Sequence, residues 1–465
     1  MTTRPRLSLA TLAKAAPGVA RPAYDVAGLK TGIVHLGIGA FHRGHQAVFT
    51  EDAVAAAGGD WGIVGLSLRH PDVPDALAAQ DGLYAVETLD AAPRYRVVGV
   101  VRRAICAPRD PAAALQALAA PSTHMVGLTV TEKGYGLDAR GELDPADPDI
   151  AHDLAHELAG PAAPRSAVGW LALGLAERRR AGAGPLTVIS CDNVMGNGRK
   201  LEGAVLAFAE RTDPGLARWI AANAAFPQTM VDCITPAVSP QVRERIEAAV
   251  GLADGACVSR EAFAQWVIED RFAGPRPAWE RAGVEVVADV RPYEQLKLHV
   301  LNTCHSALAY MGPARGCLFA RQAIADPELA CFVDGLMAEE VAPALPDLPV
   351  ADYWRRIRAR IANPMVDHRL SQIAEDGSVK LAQRVVPLVV ANARAGRPAG
   401  RLCAIVRAWL GAASLGEAAD PKAARLAAWA DAGADLAAAL DDPALFPEPF
   451  RAEPAVRAAM LKGAG

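Results

Sequence analysis

The segment TGIVHLGIGAFHRGHQAVFTEDAVAAAGG (residues 31–59) indicates the fold class. It begins as a short apolar run, continues through glycines and ends as an amphipathic stretch, the pattern of a strand, a tight turn and a helix. Gly37 and Gly39 match the first two positions of a G-x-G-x-x-G fingerprint, which lets the backbone approach a pyrophosphate at the helix N-terminus. His42 replaces the third glycine, so a plain strand-turn-helix without a nucleotide remains open.

The segment WGIVGLSL (residues 61–68) follows that helix and predicts a second strand, which completes a βαβ unit. In RHPDVPD, directly after it, Asp72 stands near the position where an acidic residue hydrogen-bonds the adenosine ribose hydroxyls of NAD. Asp72 therefore makes NAD the expected cofactor. Arg69 keeps open the alternative that a 2′-phosphate, and thus NADP, is preferred.

Three further apolar runs predict strands, and helical or loop sequence separates each from the next. The runs are YRVVGVV (residues 95–101), HMVGLTVTE (124–132) and PLTVISCDN (185–193). Strands that alternate with helices predict a mostly parallel sheet.

Two polar segments follow the ends of these runs, TEKGY (residues 131–135) and SCDNVMGNG (190–198). In parallel sheets ligands bind beyond the carboxyl ends of the strands, so both segments are candidate binding loops. Asp192 and Asn193 are also ordinary turn formers, which is the simpler interpretation of these two residues alone.

From about residue 295 onward the pattern is helical, with alanine-rich stretches and proline-punctuated loops. Charges and aromatic residues recur there at helical spacing, which favours close-packed helices over low complexity. The domain boundary is expected within AGVEVVADVRPYE (residues 282–294). The sequence therefore predicts an α/β protein with an N-terminal Rossmann-type dinucleotide-binding domain (residues 1–287) and a mainly α-helical C-terminal domain (residues 288–465).

Composition limits the kind of partner. The chain has 465 residues, of which 52% are hydrophobic and 22% charged, enough for two domains with cores of their own. The formal net charge is −4 and basic runs are absent, so a nucleic acid or an anionic membrane is not expected and a small-molecule ligand is. The sequence shows no secretory apolar core and no apolar segment of about 18 residues, which predicts a cytoplasmic protein. The oligomeric state is left open.

Metal ligands are scarce in the sequence. The eight cysteines lie apart without a C-x-x-C pair, which argues against a zinc knuckle or a redox motif. HRGH (residues 42–45) offers two histidines at i and i+3, but no second cluster has ligand spacing. We interpret these histidines as structural or cofactor-adjacent and expect no metal.

The segment YEQLKLHVLNTCHSALAYMG (residues 293–312) reads as an apolar helix with a polar stripe. At about 100° per residue, Glu294, Lys297, Asn302 and His305 share one face within an arc of roughly 140°. Any one of them alone is most simply a snorkelling lysine or an ordinary buried hydrogen-bonding group. Together they indicate a proton-transfer site, in which burial lowers the pKa of the lysine from about 10.4 and lets it act as a base.

Seven blocks occur in a fixed order along nearly the whole chain. They are GIVHLGIGAFHRGHQ, LTVTEKGY, SCDNVMGNG, FPQTMVDCITP, QWVIEDRF, PYEQLKLHVLNTCHSALAYMG and EDGSVKLAQR. Together they resemble the polyol-specific long-chain dehydrogenases, the family that includes mannitol 2-dehydrogenase and fructuronate reductase. The resemblance implies an N-terminal Rossmann-type domain, a helical C-terminal domain, an active site in the cleft between them and no metal.

The resemblance also implies catalytic roles. Lys297 matches the family's general acid/base, Glu294 a proton-relay carboxylate and His305 the substrate-orienting imidazole. Asn193 and Asn302 match the amides that hold the reacting oxygen. This set suits oxidation of a secondary alcohol, because one base and fixed donors on the developing alkoxide suffice when hydride leaves carbon for nicotinamide.

Further residues are candidate binding groups. By resemblance, Lys380 in DGSVK matches a substrate-binding lysine, and Asp232 in FPQTMVD matches a polar group near the substrate. The expected cofactor contacts are Gly37, Gly39, Phe41, Arg69, Asp72 and Asn193.

Two positions depart from the family pattern. MVDCITP carries Cys233 where relatives commonly have an arginine, so a salt bridge near the cleft is expected to be missing. LNTCHS carries Thr303-Cys304 where relatives have a glycine beside the asparagine, which is expected to narrow the pocket without changing the chemistry.

Substrate choice depends on DHRLSQIAEDGSVKLAQR (residues 367–384), which resembles the fructuronate reductase branch more than the bacterial mannitol dehydrogenase branch. A substrate carboxylate suits a bidentate arginine, so Arg369 and Arg384 are candidate substrate ligands beside Lys380. Pairing of both arginines with nearby acids is an equally simple interpretation. The expected reaction interconverts D-mannonate and D-fructuronate, with D-mannitol and D-fructose or another polyol pair as the alternative.

A protein of another class remains a competing interpretation: a dinucleotide-binding sensor without catalysis, since a fold alone does not fix function. The mark of such a protein would be loss of the base, and Lys297 is present together with its donors.

Overall fold

The computed structural model describes residues 4–138, 140–156, 163–416 and 419–462. The chain divides into two compact units, Met1–Val290 and Arg291–Gly465. This division lies next to the domain limit expected between residues 287 and 288. Within the described residues, no helix has the length and apolarity needed to cross a membrane.

The strands of the described chain all lie in the first unit. In chain order they are β1 (Thr31–Leu36), β2 (Gly62–Ser67), β3 (Tyr84–Leu89), β4 (Arg94–Val98), β5 (Val101–Cys106), β6 (Met125–Leu128), β7 (Leu186–Ser190), β8 (Ala224–Ala225), β9 (Thr229–Asp232), β10 (Val258–Glu261), β11 (Gln265–Glu269) and β12 (Glu285–Val287).

Six of these strands form the main sheet, in the order β5-β2-β1-β6-β7-β8. Every pairing in it is parallel. β6 and β7 are buried at every residue, which is what apolar strands covered by helices on both faces require. The predicted mostly parallel sheet of a Rossmann-type domain is confirmed.

The run YRVVGVV (residues 95–101) is not the single strand that its apolar pattern predicts. β4 ends at Val98 and pairs antiparallel with β3, whereas β5 begins at Val101 and joins the main sheet. The Glu51 carboxylate accepts hydrogen bonds from the N–H groups of Gly99 and Val100, both at 2.9 Å. The chain changes sheets there because a side chain, not a neighbouring strand, satisfies its backbone donors.

Two smaller sheets complete the first unit. One has the order β10-β3-β4 and the other β12-β11-β9. The helices of this unit are α1 (Ala40–Gly44), α2 (Gln46–Ala57), α3 (Asp72–Ala78), α4 (Pro111–Ala119), α5 (Pro148–Leu154), α6 (Ala167–Ala181), α7 (Asn197–Thr212), α8 (Pro214–Asn223) and α9 (Pro240–Val250).

Four of these helices begin with the same local signal, a capping side chain followed by proline. Asp110, Asp147, Asp213 and Ser239 each precede a proline and accept a hydrogen bond from a backbone N–H of the first turn. Proline fits the first helical position because the N–H that it lacks would have no helical partner there.

The second unit is helical within its described residues. Its helices are α10 (Arg291–Leu296), α11 (Asn302–Met311), α12 (Ala320–Ala325), α13 (Pro327–Leu336), α14 (Val350–Ile361), α15 (Leu370–Ala374), α16 (Gly377–Arg384), α17 (Val386–Arg394), α18 (Gly400–Ser414), α19 (Ala423–Asp431), α20 (Leu436–Asp441), α21 (Glu448–Arg451) and α22 (Pro454–Leu461). Val300, Cys304 and Leu308 lie four residues apart and are fully buried in the core of this unit. The predicted helical C-terminal domain is confirmed.

Candidate active site

A cavity of about 570 Å³ opens at the carboxyl ends of β1, β2 and β6 in the first unit. Four residues predicted to contact a dinucleotide line it: Gly37, Gly39, Arg69 and Asp72. The lining also includes Ile38, Ser67, Leu68, His70, Val73, Thr129, Val130, Thr131, Lys133, Gly134, Gly136, Asp147, Asp149, Arg165, Ser166 and Ala167. We call this the dinucleotide cavity.

The two glycines of the turn serve the cavity in different ways. Gly37 has φ +92°, and a Cβ there would collide with the carbonyl oxygen of Thr129. Gly39 precedes α1, and a Cβ built on it would meet nothing within 4 Å. Gly37 is therefore required by the fold, whereas Gly39 leaves open space for a ligand to approach the backbone, as a pyrophosphate does.

His42 takes the third glycine position because its ring is part of the core. It is 1% exposed and stacks on His35, with ring centroids 3.5 Å apart. His35 Nε2 lies 2.9 Å from Thr129 Oγ1, and that hydroxyl donates to the Gly37 carbonyl at 2.6 Å. Burial lowers the pKa of His35 to about 3 and that of His42 well below its ordinary value, so both rings are neutral. Through the Thr129 hydroxyl, the stack is connected to the turn at Gly37.

The rim of the dinucleotide cavity holds Arg69, the residue that raised the NADP alternative. The Arg69 guanidinium lies 3.5 Å from the Asp149 carboxylate and is largely exposed. Asp72 begins α3, and Asp147 caps α5 on the same lining. Three carboxylates, Asp72, Asp147 and Asp149, face three cations in this lining, Arg69, Lys133 and Arg165, so net charge does not decide between NAD and NADP.

Two predicted cofactor contacts are not in the lining of this cavity as described. Phe41 stacks its ring on His45, with centroids 4.9 Å apart, and packs against the first unit's core. Asn193 follows the end of β7 with an exposed side chain. Their predicted roles stay predictions.

The loop after β6 was predicted to bind a ligand, but which of its residues line the cavity was not predicted. Thr131, Lys133 and Gly134 line the dinucleotide cavity, as do Arg165 and Ser166 at the start of α6. The first three could be found because they follow a parallel strand. Arg165 and Ser166 carry no comparable signal, since they precede a helix far along the chain.

In the second unit, the Lys297 helix is the continuous helical segment Arg291–Met311. It consists of α10, a π-helical turn over Lys297–Leu301 and α11. The Asn302 N–H donates to the Lys297 carbonyl, five residues back. The assumption of 100° per residue is therefore wrong here, because a π turn contains more residues than an α-helical turn. The angle between the Lys297 and Asn302 side chains around the helix axis is thus smaller than the predicted 140°.

Burial differs among the polar residues of the Lys297 helix. Lys297 and His305 are each 9% exposed, whereas Glu294 and Asn302 are half-buried. His305 and His368 meet edge to face, with ring centroids 5.2 Å apart. Burial, then His368 and the cations Arg360 and Arg384, holds the pKa of His305 well below its ordinary value. His305 is thus a neutral imidazole that can orient a hydroxyl by hydrogen bonding.

The helix α16 carries two predicted substrate ligands four residues apart. Lys380 Nζ donates to the Ile373 carbonyl at 3.2 Å, and Arg384 Nη1 donates to Ser306 Oγ at 3.4 Å. Burial, and then Arg384, lowers the pKa of Lys380. Burial lowers the pKa of Arg384 to about 10. Among the described residues, no carboxylate lies within ion-pair distance of the Arg384 guanidinium.

Arg369 lies in a different environment from Arg384. Its side chain is exposed, and its guanidinium carbon lies 5.3 Å from the centroid of the Phe319 ring. The alternative that both arginines pair with acids is wrong within the described part of the chain, because Arg369 stacks on an aromatic ring and Arg384 bonds a hydroxyl.

One of the two departures from the family pattern, Thr303, has a local explanation. Thr303 Oγ1 donates to the Arg384 carbonyl at 3.2 Å, and His299 Nδ1 lies 3.0 Å from the same oxygen. Thr303 therefore ties α11 to the end of α16, a structural role that the expected narrowing of the pocket did not include. Cys233 is half-buried beside Asp232, which is buried at the end of β9.

In the described ranges, no group of three or more His, Cys, Asp or Glu side chains is arranged to hold a metal ion.

Comparison with known proteins assigns the family. Residues 31–281 match the model of the mannitol dehydrogenase Rossmann domain, and residues 289–435 match that of the mannitol dehydrogenase C-terminal domain. The chain is 42% identical to mannitol 2-dehydrogenase of Cereibacter sphaeroides over 385 residues, which cover 81% of this chain and 80% of that protein. It is 40% identical to D-mannonate oxidoreductase of Escherichia coli K12 over 401 residues, which cover 84% and 82%.

A solved structure gives the same result. It is described as the ternary complex of Pseudomonas fluorescens mannitol 2-dehydrogenase with NAD and D-mannitol, and it matches with a TM-score of 0.84 and 34% identity. The match covers 98% of this chain and 96% of that one. The two matched domains, a Rossmann-type domain followed by a helical domain, are those of an oxidoreductase. This chain belongs to the mannitol dehydrogenase family of oxidoreductases, and the predicted family resemblance is confirmed.

Proposed function

We propose that this oxidoreductase uses NAD, without a metal, to interconvert an open-chain 2-alcohol and a 2-ketose, with D-mannonate and D-fructuronate as the preferred pair. The cytoplasmic location and the small-molecule partner stay predictions, and the oligomeric state stays open. The cofactor, the proton transfer and the substrate are supported by different residues.

NAD fits the dinucleotide cavity. Gly37 makes the turn, Gly39 leaves room beside the backbone, and Asp72 stands on the lining as a candidate acceptor for ribose hydroxyls. Arg69, the group that would favour NADP, lies beside Asp149. The Pseudomonas fluorescens relative was solved with NAD. Bound NAD supplies the hydride acceptor for alcohol oxidation, and its reduced form supplies the hydride donor for ketone reduction.

Proton transfer is assigned to the Lys297 helix. In its neutral form Lys297 takes the hydroxyl proton when the alcohol is oxidised, and in its charged form it returns a proton when the ketone is reduced. Asn302 and Asn193 donate hydrogen bonds to the reacting oxygen, and neutral His305 orients the substrate. Glu294 passes the proton onward. The burial of Lys297 at a π turn supports this assignment, since such turns occur frequently at functional sites.

One observation carries the substrate preference: the half-buried Arg384 guanidinium has no carboxylate partner among the described residues. A charge that is partly withdrawn from water without a counter-charge loses hydration free energy. A substrate carboxylate would supply that counter-charge with bidentate geometry. Lys380 on the same helix face adds a second cation, and Arg369 stays a candidate at the exposed side.

A neutral polyol remains the second candidate, because relatives at 42% and 34% identity are named mannitol 2-dehydrogenase. D-Mannitol and D-fructose have no carboxylate, so Arg384 would then serve as a hydrogen-bond donor to a hydroxyl group.

The test is a side-by-side steady-state assay of D-fructuronate, D-tagaturonate, D-fructose and D-xylulose with NADH. We expect the highest kcat/KM on D-fructuronate. A higher kcat/KM on D-fructose would reject the uronate and leave the NAD-dependent reaction in place. Absence of reduction of all four ketoses, with NADH bound, would favour the non-catalytic sensor.

A further inference from the structure

Thr131 has a backbone conformation that is unusual for a threonine. Its φ is +69° and its ψ is 165°, in a region populated almost exclusively by glycine. A β-branched side chain makes this more costly, because Cβ crowds the backbone at positive φ. Thr131 also lines the dinucleotide cavity, on the loop that follows β6. Such a conformation persists only where surrounding groups enforce it.

The enforcing group is the carboxylate of Asp192. Its Oδ1 accepts the Thr131 N–H at 2.8 Å, and its Oδ2 accepts the Tyr135 hydroxyl at 3.2 Å. Tyr135 also hydrogen-bonds Ser190 Oγ and is fully buried. Asp192 therefore fixes both ends of the segment Thr131–Tyr135, one through the backbone and one through a side chain.

Asp192 is itself rigidly placed. It is 7% exposed and follows β7, the strand next to β6 in the main sheet. Its carbonyl accepts from Asn197 Nδ2 at 3.1 Å. Asp192 is not among the described residues that line the cavity, whereas Thr131, Lys133 and Gly134 are. The carboxylate therefore contacts the cavity wall through this segment.

We propose that Asp192 is a positioning residue for the cofactor: it holds Thr131 in its strained conformation and so sets the wall of the dinucleotide cavity formed by Thr131–Gly134. This inference rests on the proposed use of that cavity by NAD. A carboxylate suits the task better than an amide, because both of its oxygens accept, while its partners, the N–H groups of Thr131 and Val130 and the Tyr135 hydroxyl, donate. An asparagine would turn an NH2 group toward at least one of these donors.

The test is an NADH titration by fluorescence, without substrate, on wild type, Asp192→Ala, Thr131→Gly and the double variant. We expect Asp192→Ala to raise the dissociation constant by roughly tenfold or more, since the strained turn relaxes when a charge-assisted hydrogen bond is lost. In the Thr131→Gly background the same change should cost less than about threefold, because glycine adopts positive φ without enforcement.

A control separates positioning from general loss of stability. Asp254 is another buried carboxylate of the first unit, accepting from the N–H groups of Ala85 and Ala256, and it lies outside the described cavity lining. Asp254→Asn should lower Tm and leave the NADH dissociation constant unchanged. If Asp192→Ala does not fold, Asp192→Asn takes its place in the cycle, with the same expected loss and the same rescue by Thr131→Gly.

The outcomes distinguish the two proposals. Wild-type protein that does not bind NADH would overturn the proposed cofactor. Binding by wild type, with an equal loss from the Asp192 change in both backgrounds, would overturn the positioning role and leave the cofactor in place. An Asp254→Asn effect as large as that of Asp192→Ala would also overturn it.

Discussion

The turn after β1 and the Lys297 helix present opposite kinds of surface. At the turn, Gly37 and Gly39 leave the backbone accessible, and the nearby rings of His35 and His42 are neutral. On the Lys297 helix and the adjoining α16, buried and half-buried charged or polar side chains are the candidate functional groups, and the backbone is engaged in helical hydrogen bonds. A backbone site depends on glycine spacing, whereas a side-chain site depends on where each charge is buried.

The largest expected effect follows from removing the amino group of Lys297. Lys297→Ala should lower kcat by about 10²- to 10⁴-fold, the usual contribution of a general acid/base. NADH binding should be unchanged, because the dinucleotide cavity lies in the first unit. Steady-state kinetics and NADH titration measure the two quantities. The exposed Lys462→Ala is the matched control, with wild-type kcat expected, and near wild-type turnover of Lys297→Ala would reject the lysine mechanism.

The next prediction compares Arg384 with Arg369, the two arginines of the second unit that are candidate substrate ligands. Arg384→Met should lower kcat/KM on D-fructuronate by roughly ten- to a hundredfold, as expected for loss of a charge-assisted hydrogen bond to the substrate carboxylate. Activity on D-fructose should hardly change. Arg369→Ala should have a smaller effect, because its guanidinium is exposed on the Phe319 ring. Kinetics on both ketoses give the comparison.

Two variants control for loss of packing in that experiment. Arg356 is also exposed and stacked on an aromatic ring, Tyr353, so Arg356→Ala matches Arg369→Ala without a predicted substrate contact. Arg384→Lys keeps the charge but loses bidentate geometry, and its kcat/KM should fall between wild type and Arg384→Met. Equal losses on both ketoses would mean that Arg384 does not recognise a carboxylate.

Acid should lower the free energy of unfolding of the protein, because the stacked histidines beside the Gly37 turn are kept neutral by burial. Unfolded His35 takes up a proton below about pH 6.5, whereas in the folded protein its pKa is about 3. Between these values the unfolded state binds more protons, so stability falls as the pH falls below 6.5. For one such histidine, the unfolding free energy lost between pH 7 and pH 5 is about 2 kcal/mol.

Urea unfolding of His35→Gln at both pH values tests this expectation. The variant should lose about 2 kcal/mol less than wild type between pH 7 and pH 5, since glutamine does not titrate. The exposed His156→Gln serves as control and should keep the wild-type pH dependence. An unchanged pH dependence in His35→Gln would show that the ring is not kept neutral by burial.

The same contrast explains how much of the molecule could be predicted from the sequence. The parallel strands, Gly37 and Gly39 were predictable because period and glycine spacing are local properties. The break between β4 and β5 was not, because it depends on the buried carboxylate of Glu51, distant in sequence. The π turn after Lys297 was not predictable either, because the helical pattern was interpreted with 3.6 residues per turn.

Burial was likewise hidden from the sequence. Arg369 and Arg384 have the same chemistry and lie in the same short segment of sequence, yet one precedes α15 and is exposed on Phe319, whereas the other ends α16 and is half-buried beside Ser306. Only tertiary packing separates them. The strain at Thr131 was hidden for the same reason, because it depends on its hydrogen bond to Asp192.

The smallest expected effect concerns the rim of the dinucleotide cavity, where side chains are expected to set the preference for NAD over NADP. Asp72→Ala should reduce the preference for NAD over NADP by about tenfold, because it removes both an acceptor for the ribose hydroxyls and a repulsion toward a 2′-phosphate. The ratio of kcat/KM for the two cofactors measures it. Asp75 lies one turn later on α3, pairs with Arg109 and is absent from the described lining, so Asp75→Ala is the matched control and should leave the ratio unchanged. A wild-type preference for NADP would contradict the role of Asp72 and assign the choice to Arg69. Cofactor choice would then depend on the exposed guanidinium of Arg69, as substrate choice is proposed to depend on the half-buried guanidinium of Arg384.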